Sequence, residues 1–105
     1  MAKKVDISQY INIDAPEMVL FGKTYVVKND KNTIMALAGL QQKDNADEEI
    51  ITLLVGAENA KEICGIINEN PNYSENAKVI MLNLMALATG QEYAVLEERF
   101  RKIQQ

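Results

Sequence analysis

Histidine and tryptophan are missing from this chain of 105 residues, and cysteine occurs once. Without histidine the chain lacks the commonest general acid/base and the commonest metal ligand. With one cysteine it can form no internal disulfide. Cys64 falls within an apolar helical pattern, where a thiol behaves as a small, inert hydrophobe. Such cysteine usage gives no sign of an oxidising compartment, and the cytoplasm is the expected location. Long apolar runs are missing too. No stretch reaches about 18 residues, and Met1-Ala2-Lys3-Lys4-Val5-Asp6 is not followed by the apolar segment of a signal peptide. Neither membrane insertion nor export is expected.

What remains is an ordinary globular composition, 48% hydrophobic and 25% charged. The length suits one domain, residues 1–105, which on folding buries on the order of 65% of the surface its unfolded chain exposes. The net charge is −4 and is unevenly spread. Residues 1–44 hold six Lys and five acids, whereas residues 45–105 hold five Lys or Arg and ten acids. Phosphate backbones require clustered cations, so an acidic second half argues against nucleic acid as a partner.

Along the chain, residues 1–16 mix polar residues with Ile7, Tyr10, Ile11 and Ile13 before the break at Asp14-Ala15-Pro16, which reads as an arm or an edge strand. Glu17 to Phe21 and Thr24 to Val27 are β-favouring runs separated by Gly22-Lys23, a pair suited to a two-residue turn with glycine at its first central position. Met18 and Leu20 share one face of this hairpin, and Val19 and Phe21 the other. Helical spacing then takes over. Helix one follows the capping cluster Asn29-Asp30-Lys31-Asn32 and runs to about Gln42. Asn45 and Glu48 have the spacing of a reciprocal capping box before helix two, Ala46 to Val55, which stops at Gly56. Helix three buries Ala60, Ile63, Cys64 and Ile67. Ser74 is placed to cap helix four, whose face is Ala77, Ile80, Met81, Leu84 and Ala88 and whose end is Gly90. Helix five, Gln91 to about Ile103, carries the narrower stripe Tyr93, Leu96, Phe100 and Ile103. The fold class is therefore α+β, mostly α: an N-terminal β-hairpin, about 17–27, followed by a bundle of about five short helices.

Candidate chemistry is confined to carboxylates. Asp47-Glu48-Glu49, Glu58 with Glu62, and Glu97-Glu98 lie on polar faces or first helical turns, where the helix dipole and solvation account for them. Acid/base work needs instead a cleft that separates two pKa values. No loop alternates oxygen ligands through a glycine turn as a calcium site does, and the dispersed glycines form no phosphate cradle. Neither catalytic residue, cofactor nor metal is expected, and the chain reads as a non-enzymatic protein-binding domain. Apolar residues exceed what one small core needs: Val19, Val26, Met35, Leu40, Ile66, Val79, Leu82 and Met85 fall off the main stripes or widen them. Subunit or partner contacts would cover them, unless a central helix buries more than one face. The candidate interface residues are Val19, Phe21 and Val26 on the hairpin and Leu96, Phe100 and Ile103 on the last helix.

Several local phrases give the chain a family resemblance. Leu20-Phe21-Gly22-Lys23-Thr24-Tyr25-Val26-Val27, Leu53-Leu54-Val55-Gly56-Ala57-Glu58-Asn59-Ala60-Lys61-Glu62-Ile63, Met85-Ala86-Leu87-Ala88-Thr89-Gly90-Gln91-Glu92-Tyr93 and Glu97-Glu98-Arg99-Phe100, in that order, resemble the tail assembly chaperones of long-tailed bacteriophages and prophages. The resemblance covers most of the chain from Glu17 onward. It implies a homo-oligomer that coats the helical tape measure protein until tail tube protein polymerises around it, in the host cytoplasm. It carries over no catalytic or binding residue. A small helical adaptor or regulatory protein-binding domain is the alternative from composition alone.

Overall fold

The computed structural model describes residues 3–104, and the side chains of all of these except Phe100, Lys102, Ile103 and Gln104. Residues 3–16 form no strand and contain only a 3-10 turn, Ser8–Tyr10. Two antiparallel strands follow, β1 (Glu17–Leu20) and β2 (Lys23–Val26). Five helices complete the chain: α1 (Lys31–Leu40), α2 (Asp47–Val55), α3 (Ala57–Glu69), α4 (Tyr73–Thr89) and α5 (Tyr93–Gln104). The expected α+β, mostly helical class is thus observed.

The hairpin turns one residue earlier than its composition suggests. Leu20 pairs with Lys23, so the central residues are Phe21 and Gly22, at φ +48° and +81°. Positive φ at both positions is the mark of a type I′ turn, whose twist matches that of the flanking strands. The sequence pointed to glycine in the first central place. A bulky aromatic occupies it instead, in a region that such residues rarely enter.

Helix boundaries are set less by side-chain caps than the sequence suggests. Asn45, the expected partner of Glu48 in a capping box, takes a left-handed conformation at φ +58°, and α2 starts after Ala46 with no side-chain cap. Ser74 lies inside α4, which begins at Tyr73 after a left-handed Asn72. There the Asn76 amide donates to the carbonyl of Pro71. The Asp30 carboxylate accepts the Thr33 hydroxyl at 2.6 Å and no backbone N–H at the start of α1.

Gly56 alone separates α2 from α3. Its N–H closes α2 on Thr52 and its carbonyl opens α3 to Ala60, while φ +90° and ψ 159° place it in a region open essentially only to glycine. The carbonyls left over at the end of α2 find partners elsewhere: the Asn59 amide donates to Val55, and the backbone N–H of Lys28 donates to Leu54 at 2.7 Å. A Cβ at Gly56 would meet nothing within 4 Å, so its cost is purely one of backbone conformation. Gly56→Ala is accordingly expected to destabilise the fold by about 1–3 kcal/mol. Gly39→Ala, in the last turn of α1 at helical φ and equally open, is expected to stabilise it by about 0.4–1 kcal/mol. Paired urea denaturation curves test both, and equal shifts for the two would rule out this account of Gly56.

α4 is the central helix. It touches α2, α3, α5 and β1, and it buries Ala77, Ile80, Met81, Leu82, Leu84, Met85 and Ala88. Leu82 and Met85, surplus to the single stripe read from the sequence, are therefore core residues, because neighbours cover α4 on more than one side. Around it pack Tyr25 and Val27 from the hairpin end, Leu37, Ile50, Ile51 and Leu54, Ile63 and Ile67, and Leu96. The chain turns through 119° between α4 and α5. Among the described residues no single helix is long and apolar enough to cross a membrane.

A candidate protein-interaction surface

The register divides the hairpin into unlike faces. Met18, Leu20 and Tyr25 point toward the helices, and Tyr25 is 1% exposed. Glu17, Val19, Thr24 and Val26 point the other way. Val19 is 67% exposed and Val26 54%, and Phe21 at the tip reaches 83%. The inner face meets its cover in α4, and the outer face is left exposed among the described residues. The Val27 N–H donates to the Pro16 carbonyl, which fixes the alternation of the ladder. Pro16 then directs its C=O, and Met18 and Leu20 their N–H and C=O groups, toward β2, and Glu17 and Val19 direct theirs outward.

Beside the tip lies an open groove of about 380 Å³. Leu20, Phe21, Ile66 and Val79 supply apolar walls, and Asn70 and Asn76 stand along it. The amides of these two asparagines donate to the carbonyls of Ile66 and Pro71, which fixes their orientation. Behind the hairpin, residues 3–16 present Val5, Ile7, Tyr10, Ile11 and Ile13 to solvent. Eight of the twelve exposed large hydrophobic side chains among the described residues come from 5–26. Their concentration in one segment separates them from the scattered apolar residues of an ordinary surface.

The hairpin is held to α3 by a polar cluster at its inner edge. Lys23 Nζ donates to Glu62 Oε2 at 2.5 Å and stands 5.1 Å from the centre of the Tyr25 ring. The Tyr25 hydroxyl lies 3.4 Å from Glu62 Oε1. The hydrogen bond from Lys23 holds the Glu62 carboxyl below its ordinary value of 4.5, and the same bond holds Lys23 above 10.5. The depressed acid contributes stability above about pH 4.5 that is lost as pH falls through its folded value. The raised lysine contributes below about pH 10.5 and loses its contribution as pH rises through its own. Both ends are exposed, so the effect is small and salt-sensitive. In an NMR titration Glu62 is expected to protonate below its ordinary value, and Lys23→Met is expected to return it toward that value.

The carboxylates singled out from the sequence do not converge. Glu62 pairs with Lys23, Glu49 with Lys43 and Glu97 with Arg101, all on exposed faces. No group of three or more potential metal ligands occurs among the described residues. Burial, assisted by the negative charge of Glu48, pushes the Cys64 thiol up, opposite to the direction that favours a nucleophilic thiolate.

Of the six interface candidates, Val19, Phe21 and Val26 lie together on the outer hairpin. Leu96 is 4% exposed and packs in the core, so it is not presented to a partner. The side chains of Phe100 and Ile103 lie outside the described residues. Of the surplus apolar residues, Met35 and Val79 are exposed, and Leu40 and Ile66 are half-buried. Sequence reasoning did not single out the exposed arm residues as contacts. Their β-branched spacing ahead of Pro16 was the available signal. The sequence matches no protein-family model, no curated protein and no solved structure.

Proposed function

We propose that this chain is a non-enzymatic assembly chaperone of the phage-tail kind, which self-associates and binds the tape measure protein, with tail tube protein as a second partner. The observation that carries this reading is the concentration of uncovered apolar side chains in the arm and outer hairpin, set against an acidic helical body. A coat for a long amphipathic helix needs apolar contact surface, to hold the client, and a charged exterior, to stay in solution. The resemblance in local phrases points the same way.

Co-expression with a tape measure protein from a neighbouring gene tests the proposal. The wild-type chain is expected to raise the soluble yield of that client severalfold. Val19→Asp with Val26→Asp is expected to abolish the gain while leaving the thermal melt of the chain itself almost unchanged, because both side chains are exposed. A client whose solubility is indifferent to the wild-type chain would sink the proposal.

A further inference from the structure

We propose that the groove between the hairpin tip, α3 and α4 receives residues 5–13 of a second copy of this chain, exchanged reciprocally in a dimer. This deepens the proposed function by naming the contact through which the chaperone self-associates.

Among the described residues the arm is an apolar segment that its own chain leaves uncovered. Its hydrogen bonds among the described residues are local: Ser8 N–H donates to the Asp6 carboxylate, Tyr10 to the Ile7 carbonyl, Ile11 to the Ser8 carbonyl and Asp14 to the Asn12 side chain. Its five large apolar side chains are between 56% and 90% exposed. The molecule is 65 Å long with a radius of gyration of 16.1 Å, against about 13 Å for a compact chain of this length. Such extension leaves apolar surface in water.

The same chain carries a receptor of matching chemistry. The walls of the groove are apolar, and Asn70 and Asn76, oriented by their own amide bonds, retain side-chain oxygens that can accept backbone N–H groups of an extended segment. β1 lines the groove through Leu20, and its outward N–H and C=O groups at Glu17 and Val19 form an unpaired edge of the kind to which an added strand binds. The arm opens with Lys3 and Lys4, and the groove residues Asn70 and Asn76 each follow an exposed acid in the chain, Glu69 and Glu75, so the two parts carry opposite charges.

The direction of the chain favours exchange over self-occupation. The arm leaves the hairpin at Pro16, at the end opposite the turn, and the groove opens at the turn, about 13 Å away along β1. To fill its own groove the arm would have to reverse at residues 14–16. A second copy can instead enter without refolding, which is the usual low-cost route to a swapped dimer. The ten groove residues and nine arm residues of each protomer together come close to the 20 to 30 residues a side of a stable interface.

Sedimentation equilibrium and cross-linking test the exchange. The wild-type chain is expected to form dimers at micromolar concentration. Ile7→Asp with Ile11→Asp is expected to weaken the dimer at least about tenfold without altering the thermal melt of the monomer. In a Cys64→Ala background, Ile11→Cys on one tagged copy and Val79→Cys on another are expected to be joined by a flexible bismaleimide, and a chain carrying both cysteines is expected to link between copies. Undiminished self-association of the arm variant, or a doubly substituted chain that closes only on itself, would overturn arm exchange and leave the chaperone reading standing. A strict monomer at high micromolar concentration would overturn both.

Discussion

Leu84→Ala is expected to cost about 2–5 kcal/mol, the largest single effect on stability that one substitution in this chain should produce. Leu84 is fully buried in α4, the helix that meets α2, α3, α5 and β1, so its methyl groups have packed neighbours on several sides. A close-packed site of this kind cannot collapse around the missing atoms, and the cavity adds to the lost transfer energy. A domain of this size has about 5–15 kcal/mol in total. With about 4–8 °C per kcal/mol, the melting temperature should fall by roughly 8–40 °C. Leu53→Ala, at a half-buried position on α2, should cost less than half as much. Urea denaturation with an unchanged m-value checks both, and similar midpoints for the two variants would contradict a core centred on α4.

Phe21→Asn is expected to move stability and binding in opposite directions. Phe21 holds a left-handed conformation at a site where its ring gains almost no burial, and such strain costs on the order of 1–3 kcal/mol. Asparagine adopts that conformation several-fold more readily, and Asn-Gly is the preferred pair for a type I′ turn. The variant should be about 1 kcal/mol more stable. It should also bind its client roughly 30-fold more weakly, because an exposed aromatic at a tip is the kind of residue that concentrates binding energy, at about 2 kcal/mol or more. Phe21→Ala separates the effects, since it removes the ring and keeps a β-carbon at positive φ. A destabilised Phe21→Asn variant would remove the strain argument. Undiminished client binding by both variants would remove Phe21 from the interface.

The helical part of the fold was legible because its stripes are simple. Ala60, Ile63 and Ile67 on α3, and Ala77, Ile80, Met81, Leu84 and Ala88 on α4, are spaced to line one face and are buried as that spacing requires. The hairpin faces were legible too, because side chains alternate along a strand. The turn was displaced by one residue because steric preference put glycine first, and the tertiary structure accepts a strained phenylalanine there. Asn45 and Ser74 misled for a related reason: at both helix starts the chain enters through a left-handed asparagine, and backbone geometry replaces the side-chain cap. Leu82, Met85 and Leu96 were assigned to partners or to surplus because periodicity gives the spacing of one face and not the number of neighbours around a helix. The candidate site was legible only in part. Composition indicated uncovered apolar residues, and Val19, Phe21 and Val26 were among those named. The groove between residues 20 and 80 is a tertiary feature that no local pattern records.

The single hydrogen bond from Lys28 to Leu54 joins the exit of the hairpin to the end of α2. Lys28 is an exposed residue, so once that bond opens its amide proton meets solvent directly. The neighbouring amide of Val27 bonds across the hairpin to Pro16. In deuterium these adjacent protons therefore time two different events. Loss of Lys28 alone marks the hairpin lifting from the helices as a unit, and joint loss marks its strands coming apart. Rigid lifting would leave intact the turn that displays Phe21, Val19 and Val26, and the relative lifetimes of two backbone protons distinguish that motion from local unfolding.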